Sequence, residues 1–193
     1  MNIFVLHTYP KTAAQLHNDK HCVKMILESA QLLSTAHRIL DGTTYVGQSA
    51  TGRRVTRWRL PDHRETLLLA ATHTNHPCNI WVRSHLDHYM WLAGLFSELL
   101  QEYTFRYNKQ HKYESLRHVL SFAPTNISTT GVGTAPPQAM PDTYKVQATD
   151  SVTGWDATVQ AYHNYYRGAK VAFSTWKHRD IPTFMKEPNV CVS

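Results

Sequence analysis

His17, His21, Lys24, Glu28, Gln31 and Thr35 recur at steps of three and four, so on a helix they line up along one side. Two imidazoles, an ammonium and a carboxylate on one strip can do three kinds of chemistry. Histidine passes a proton near neutral pH, Lys24 holds an anion or attacks as a desolvated amine, and Glu28 orients or deprotonates that amine. A merely solvated face would carry a mixture of Lys, Glu and Arg. Here the rest of the helix is apolar, so the strip reads either as the wall of a cleft or as a polar seam between helices. His73 or His76, both candidate catalytic residues in the turn before Pro77, is expected to face the same cavity.

The i, i+4 spacing of His17 and His21 also lets two imidazoles reach one metal ion, with His73, His76, His85 and His88 as further ligands. Against this, Asp19 would lie about 160° from His17 around a helix, and neither an HExxH motif nor a cysteine cluster occurs. The expected site is therefore metal-free and without a cofactor, with zinc or another transition metal as the minor alternative.

Three further groups mix cations with aromatic rings. Arg53, Arg54, Arg57 and Arg59 flank Trp58, a pattern suited to phosphates with a ring free to stack on a base or sugar; the plain alternative is a solvated basic hairpin. Arg106, Lys109 and Lys112 follow the same pattern with Tyr103, Tyr107 and His111, although cations there also complement a helix C-terminus. Tyr162, Tyr166 and Lys170 share a face at i, i+4 and i+8 and can hold a base and its phosphate, or pack as tyrosines with their hydroxyls at a rim. Together the first two groups make nucleic acid the leading polyanionic partner.

The elements that must position these residues are mainly helical. A short apolar run, Ile3 to Leu6, reads as a buried extended segment. One long helix is expected from about Ala13 to Leu40, stopped by Gly42, with Leu16, Val23, Ile26, Leu27, Ala30, Leu33 and Leu40 on its broad buried face. Residues 43–59 suggest a small β-hairpin, since Gly47 and Gly52 bracket a polar turn. Pro61 and Asp62 open a second helix, with Glu65 completing a capping box, that runs to His73. Pro77 opens a third that continues or breaks at Ser84 and reaches Tyr107. A shorter helix spans about Tyr113 to Phe122, residues 123–154 form a long irregular segment, and a last helix runs from Trp155 to Phe173.

At 193 residues, with 42% hydrophobic and 18% charged side chains, the chain suits one domain with one core, a single-domain helical bundle. A charge of +6 permits a polyanionic partner without demanding one. Cys22, Cys78 and Cys191 form no CxxC pair, which fits a reducing compartment. No secretory leader or membrane span is expected, because the first residues lack a basic region and no stretch approaches ~20 apolar residues.

The phrases AAQLHNDKHCVKMILESAQLLSTAHR, NHPCNIW, EYTFRYNKQHK, MPDTYK and YHNYYRGAKVAFSTWKHRDIP resemble a family of tailed-bacteriophage proteins over nearly the whole chain. That resemblance implies a phage origin, with the cytoplasm of the infected bacterial host as location, and brings no activity with it. The order of elements is similar, more distantly, to that of the bacteriophage pyrimidine-dimer DNA glycosylases. There an α-amine freed by removal of the initiator Met is the nucleophile and a first-helix glutamate assists. Here a bulky Asn2 follows Met1, and Glu28 sits later in its helix, so the resemblance carries over a substrate class, bases in DNA, more than a reaction. The expectation is an enzyme that excises or modifies a DNA base drawn into a helical pocket. Its alternatives are a transferase adding an amine or amino acid to a modified pyrimidine, with a nucleotide or amino-acid co-substrate, an enzyme of nucleotide metabolism, and a non-catalytic binder of nucleic acid or a host protein.

Overall fold

A computed structural model describes residues 1–186, so Cys191 lies outside the described residues. The fold is mainly helical with one two-stranded antiparallel sheet. The helices are α1 (Pro10–Leu16), α2 (Asp19–Asp41), α3 (Arg64–Leu67), α4 (Pro77–Ser84), α5 (Leu86–Tyr107), α6 (Arg117–Leu120) and α7 (Gly154–Tyr165). The strands are β1 (Thr43–Gln48) and β2 (Arg54–Arg59). Helix α2 packs on α4 and α5, and α1 packs on α5. Ile3, Val5 and Leu6 of the N-terminal run, Ile26 and Leu33 of α2, and Leu92, Phe96 and Leu99 of α5 are all buried in one core. Among the described residues no helix is long and apolar enough to cross a membrane.

The expected helix over residues 13–40 is two helices. His17 is extended (φ −61°, ψ 136°), and the Asn18 side chain accepts the His21 N–H at 2.8 Å, capping α2. An asparagine that can satisfy an orphan N–H gives the chain an alternative to continuous helix, and absence of Gly and Pro does not exclude that. The first helix also starts earlier, with Pro10 at its first turn. The buried face of α2 is rotated from the expected one. Val23 is 39% exposed, whereas Cys22, Ser29 and Ala36 are buried. Small residues sit where the neighbouring helices approach, so counting only large apolar side chains displaces the centre of the face.

The expected helix from Pro61 to His73 shrinks to the single turn α3. Buried Arg38 is the cause. Its guanidinium takes the carbonyls of Trp58, Glu65, Leu68 and Leu69 and the Glu65 carboxylate, leaving the following residues to run as an extended strap. That strap lies along α2, with Thr72 N–H donating to Thr35 Oγ1 at 3.2 Å. Glu65 accepts the Leu60 N–H at 2.9 Å instead of closing a capping box.

At Ser84 the third helix does break, because His85 is extended and its ring accepts the Asp87 N–H to start α5. Residues 112–120 divide into a 3₁₀ turn and α6, and the last helix reaches the expected Phe173 in three parts, α7, a π-helical turn over Tyr166–Lys170 and a 3₁₀ turn over Val171–Phe173. The irregular segment is pinned to the core: Trp81 Nε1 donates to Thr134 O at 3.1 Å and Thr158 Oγ1 to Pro136 O at 3.1 Å.

Candidate functional site

The break at Asn18 divides the predicted strip. His17 is fully buried, with Nδ1 2.7 Å from Ala13 O, and burial pushes its pKa down to about 4. His21 stacks on Phe4 at 4.1 Å and meets the Tyr166 hydroxyl at 2.6 Å; burial first, then the charges of His17, Lys170 and Lys24, lower its pKa to about 3. Both imidazoles belong to the packed aromatic core around Phe4. Tyr162 and Tyr166, read as base-holding phenols, are fully buried there too. The Tyr162 hydroxyl donates to Asn2 Oδ1 at 2.7 Å.

The other end of the strip assembles a different cluster. Where the N-terminal run crosses α2, Asn2 N–H donates to Glu28 Oε2 at 2.7 Å, and Lys24 Nζ lies 3.4 Å from Glu28 Oε1. Lys24 is 67% exposed in its side chain, so it is hydrated and held by one oxygen only. His76 caps α4 by accepting the Cys78 N–H at 3.2 Å. Burial first, then the charge at Met1 and His73, lowers its pKa, and Glu28 opposes them. Glu28 therefore stands within electrostatic reach of both Lys24 and His76. His73 is exposed at the edge, in a left-handed conformation (φ 49°), with Nδ1 2.8 Å from Thr72 Oγ1. Asn2 is the residue that pattern reading missed. Its amide also donates to Ala139 O at 2.9 Å, and nothing in local spacing links positions 2, 28, 139 and 162.

The hairpin forms as expected, with Thr43 opposite Arg59 and Gln48 opposite Arg54. It projects as a ribbon, and Val46 in its middle is 62% exposed. Arg53, Arg54 and Arg59 are exposed; Arg57 and Trp58 are half-buried. Arg59 lies over the Tyr45 ring at 5.0 Å and Arg57 Nη2 makes a long contact, 3.4 Å, with Gln48 O. None of these four arginines is in an ion pair with a carboxylate of the described residues. Each of the other seven is engaged. Arg38, Arg64, Arg106, Arg117 and Arg179 pair with carboxylates, and Arg83 and Arg167 donate to backbone carbonyls and asparagine oxygens.

Arg106, grouped with Lys109 and Lys112 by sequence, is buried: Nε donates to Glu102 at 2.7 Å and Nη1 to Asp19 at 3.0 Å. Lys109 and Lys112 are exposed beyond α5, and Lys170 lies over the Tyr165 ring at 4.3 Å. Among the described residues no group of three or more His, Cys, Asp or Glu side chains is placed to hold a metal ion. Comparison of the chain with protein-family models, with curated proteins and with solved structures returns no match.

Proposed function

We propose that the chain is a phage enzyme that binds DNA and acts on its bases, with the arginine ribbon as the phosphate-holding surface. The observation that carries this is the division among the arginines: seven are engaged by carboxylates, carbonyls or asparagine oxygens, and the four on the ribbon are in no ion pair among the described residues. Four guanidiniums outside any ion pair of the described residues, beside Tyr45 and Trp58 on a projecting two-stranded ribbon, match what nucleic acid asks of a protein, phosphate contacts plus a ring to stack. Acid–base work falls to Lys24, Glu28 and His76, with Glu28 paired to Lys24 and acting electrostatically on the His76 ring.

The test is fluorescence anisotropy of a labelled duplex and of its single strand over a salt series. Replacing Arg53 and Arg54 by Ala is expected to weaken binding and flatten the dependence of log affinity on log salt by about 0.9 per lost duplex contact. An unchanged slope removes the ribbon from the interface. One observation favours a second reading, a non-catalytic nucleic-acid binder: His17 and His21 are packed in the core instead of facing a substrate. Mass spectrometry of nucleosides from phage DNA made with and without the gene separates the two, since only an enzyme changes the base composition.

A further inference from the structure

Beside the two feet of the ribbon a cleft of about 590 Å³ opens between α3 and the segment around α6. That volume lies within the range of small-molecule sites. Its walls are apolar: Leu67, Val119 and Phe122 line it, and Phe122 is 61% exposed with the His118 ring edge-on at 5.3 Å. A large aromatic ring left uncovered in a concave wall is a surface on which a flat ligand can lie.

The polar end of the cleft is acceptor-rich. Arg64 lines it, but its donors are spent. Nε and Nη2 bind Asp62, and Nη1 binds Asp41 at 2.6 Å and meets His37 Nδ1 at 3.0 Å. The other nitrogen of His37 is taken by the Tyr89 hydroxyl at 2.8 Å. The Asp62 carboxylate, 37% exposed and held anionic by the guanidinium across it, faces the cleft beside His63, Ser115 and His118. A ligand N–H aimed at this carboxylate would be accepted by it.

The ribbon runs from Thr43, two residues after Asp41, to Arg59, three residues before Asp62, so a strand held on it passes the mouth of the cleft. We propose that the cleft reads a nucleobase of the bound strand and selects bases with an exocyclic amine, the ring lying on Phe122 and the amine facing Asp62. It is a recognition site; the chemistry stays with Lys24, Glu28 and His76. This inference rests on the reading that the ribbon holds nucleic acid. Cytosine against uracil is the comparison, because cytosine carries an exocyclic amine where uracil has a carbonyl oxygen, with ring N3 an acceptor in cytosine and an N–H in uracil.

The experiment measures affinity of the full chain for single-stranded dC and dU twelve-mers at pH 7.5 over a salt series, with the wild type and with Ser115→Trp, which fills the cleft from an exposed rim position. The wild type is expected to prefer the dC oligomer about tenfold, the scale of one hydrogen bond to a charged acceptor. Ser115→Trp should erase that preference and leave the salt slope unchanged. Equal affinities in the wild type, or a preference that survives Ser115→Trp, overturns the inference while the ribbon reading stands. If neither oligomer binds, the ribbon reading fails. The cleft is then judged alone, by titrating deoxycytidine and deoxyuridine and following the Phe122 and His118 ring resonances. Shifts with deoxycytidine only would keep the cleft as an aminated-base site, and no shift would end it.

Discussion

Arg64 donates to Asp41 at 2.6 Å, and the Asp41 side chain is only 3% exposed. The pair ties the last residue of α2 to the turn that follows the ribbon, while the other side of the same guanidinium holds Asp62. One arginine thus fixes both feet of the hairpin. Arg64→Ala leaves a buried carboxylate with the backbone N–H groups of Thr125 and Asn126 and the Asn126 side-chain amide but no counter-charge, and should cost about 3 kcal/mol in urea unfolding. A loss below about 1 kcal/mol would mean that the ribbon is anchored by its strand pairing instead.

Stability should fall in acid, beginning at mildly acidic pH. Burial holds His17 and His37 at a pKa of about 4 and His21 at about 3. The unfolded chain takes up these protons near pH 6.5, the folded one only near 4 and below. The unfolded state therefore binds more protons across that window, and stability is complete above about pH 6.5 and drops towards pH 4. Each histidine adds up to about 1.4 kcal/mol per pH unit to the slope. His17→Leu should remove one proton from the slope of unfolding free energy against pH, whatever it does to the absolute value; a slope identical to wild type would show that His17 protonates freely in the folded chain.

Local signals were enough for much of this fold. The buried run at Ile3–Leu6, the start at Pro77 and the hairpin are set by apolar runs, Pro and Gly, which act within a few residues. The strap after α3 is different, because it exists to feed carbonyls to Arg38 from thirty residues away. The same limit applies to the site. Glu28, Lys24 and His76 were legible as part of an aligned strip beside a histidine-bearing turn. The place of Asn2 against Glu28, and the cleft beside Arg64, depend on tertiary contacts that leave no periodic trace. Tyr162, Tyr166 and Arg106 have the composition of a binding face and the burial of a core, and periodicity does not distinguish those two.

Arg106 makes that distinction measurable. It is fully enclosed, bridging Glu102 and Asp19, and Glu102 also holds Arg179 from the C-terminal segment. Arg106→Ala should destabilise by about 3 kcal/mol, because Asp19 loses its arginine and buried Glu102 is left with Arg179 alone. Arg106→Lys keeps a charge but loses the fork, and should fall between the two. Neither should change the salt slope of DNA binding under folding conditions. A slope reduced by Arg106→Lys would put this arginine at the interface after all.

Gly168 sits under the Tyr144 ring, where an added Cβ would collide with it. The contact seats the 140–145 segment on the π-helical turn. Gly168→Ala should cost about 1–3 kcal/mol by overpacking. Adding Tyr144→Ala should recover part of that loss, and purely additive effects in the double-mutant cycle would show that the two residues do not touch.

The Glu28 cluster makes the most direct electrostatic prediction. His76 is held below the ordinary histidine range by burial and by the positive charges at Met1 and His73, and the Glu28 carboxylate is the group that pulls it back up. Glu28→Gln preserves an oxygen to accept the Asn2 N–H but removes the charge. The His76 ring should then titrate at a still lower pH, read from its NMR resonances between pH 4 and 8. Lys24→Gln works in the opposite sense, because it frees Glu28 from the ammonium 3.4 Å away and strengthens its hold on the imidazolium. His76 should therefore move up in the Lys24 variant and down in the Glu28 variant, with the Lys24 effect the smaller because that side chain is mostly in water. Two variants that leave the His76 titration where it was would show that the three side chains do not act as one acid–base unit.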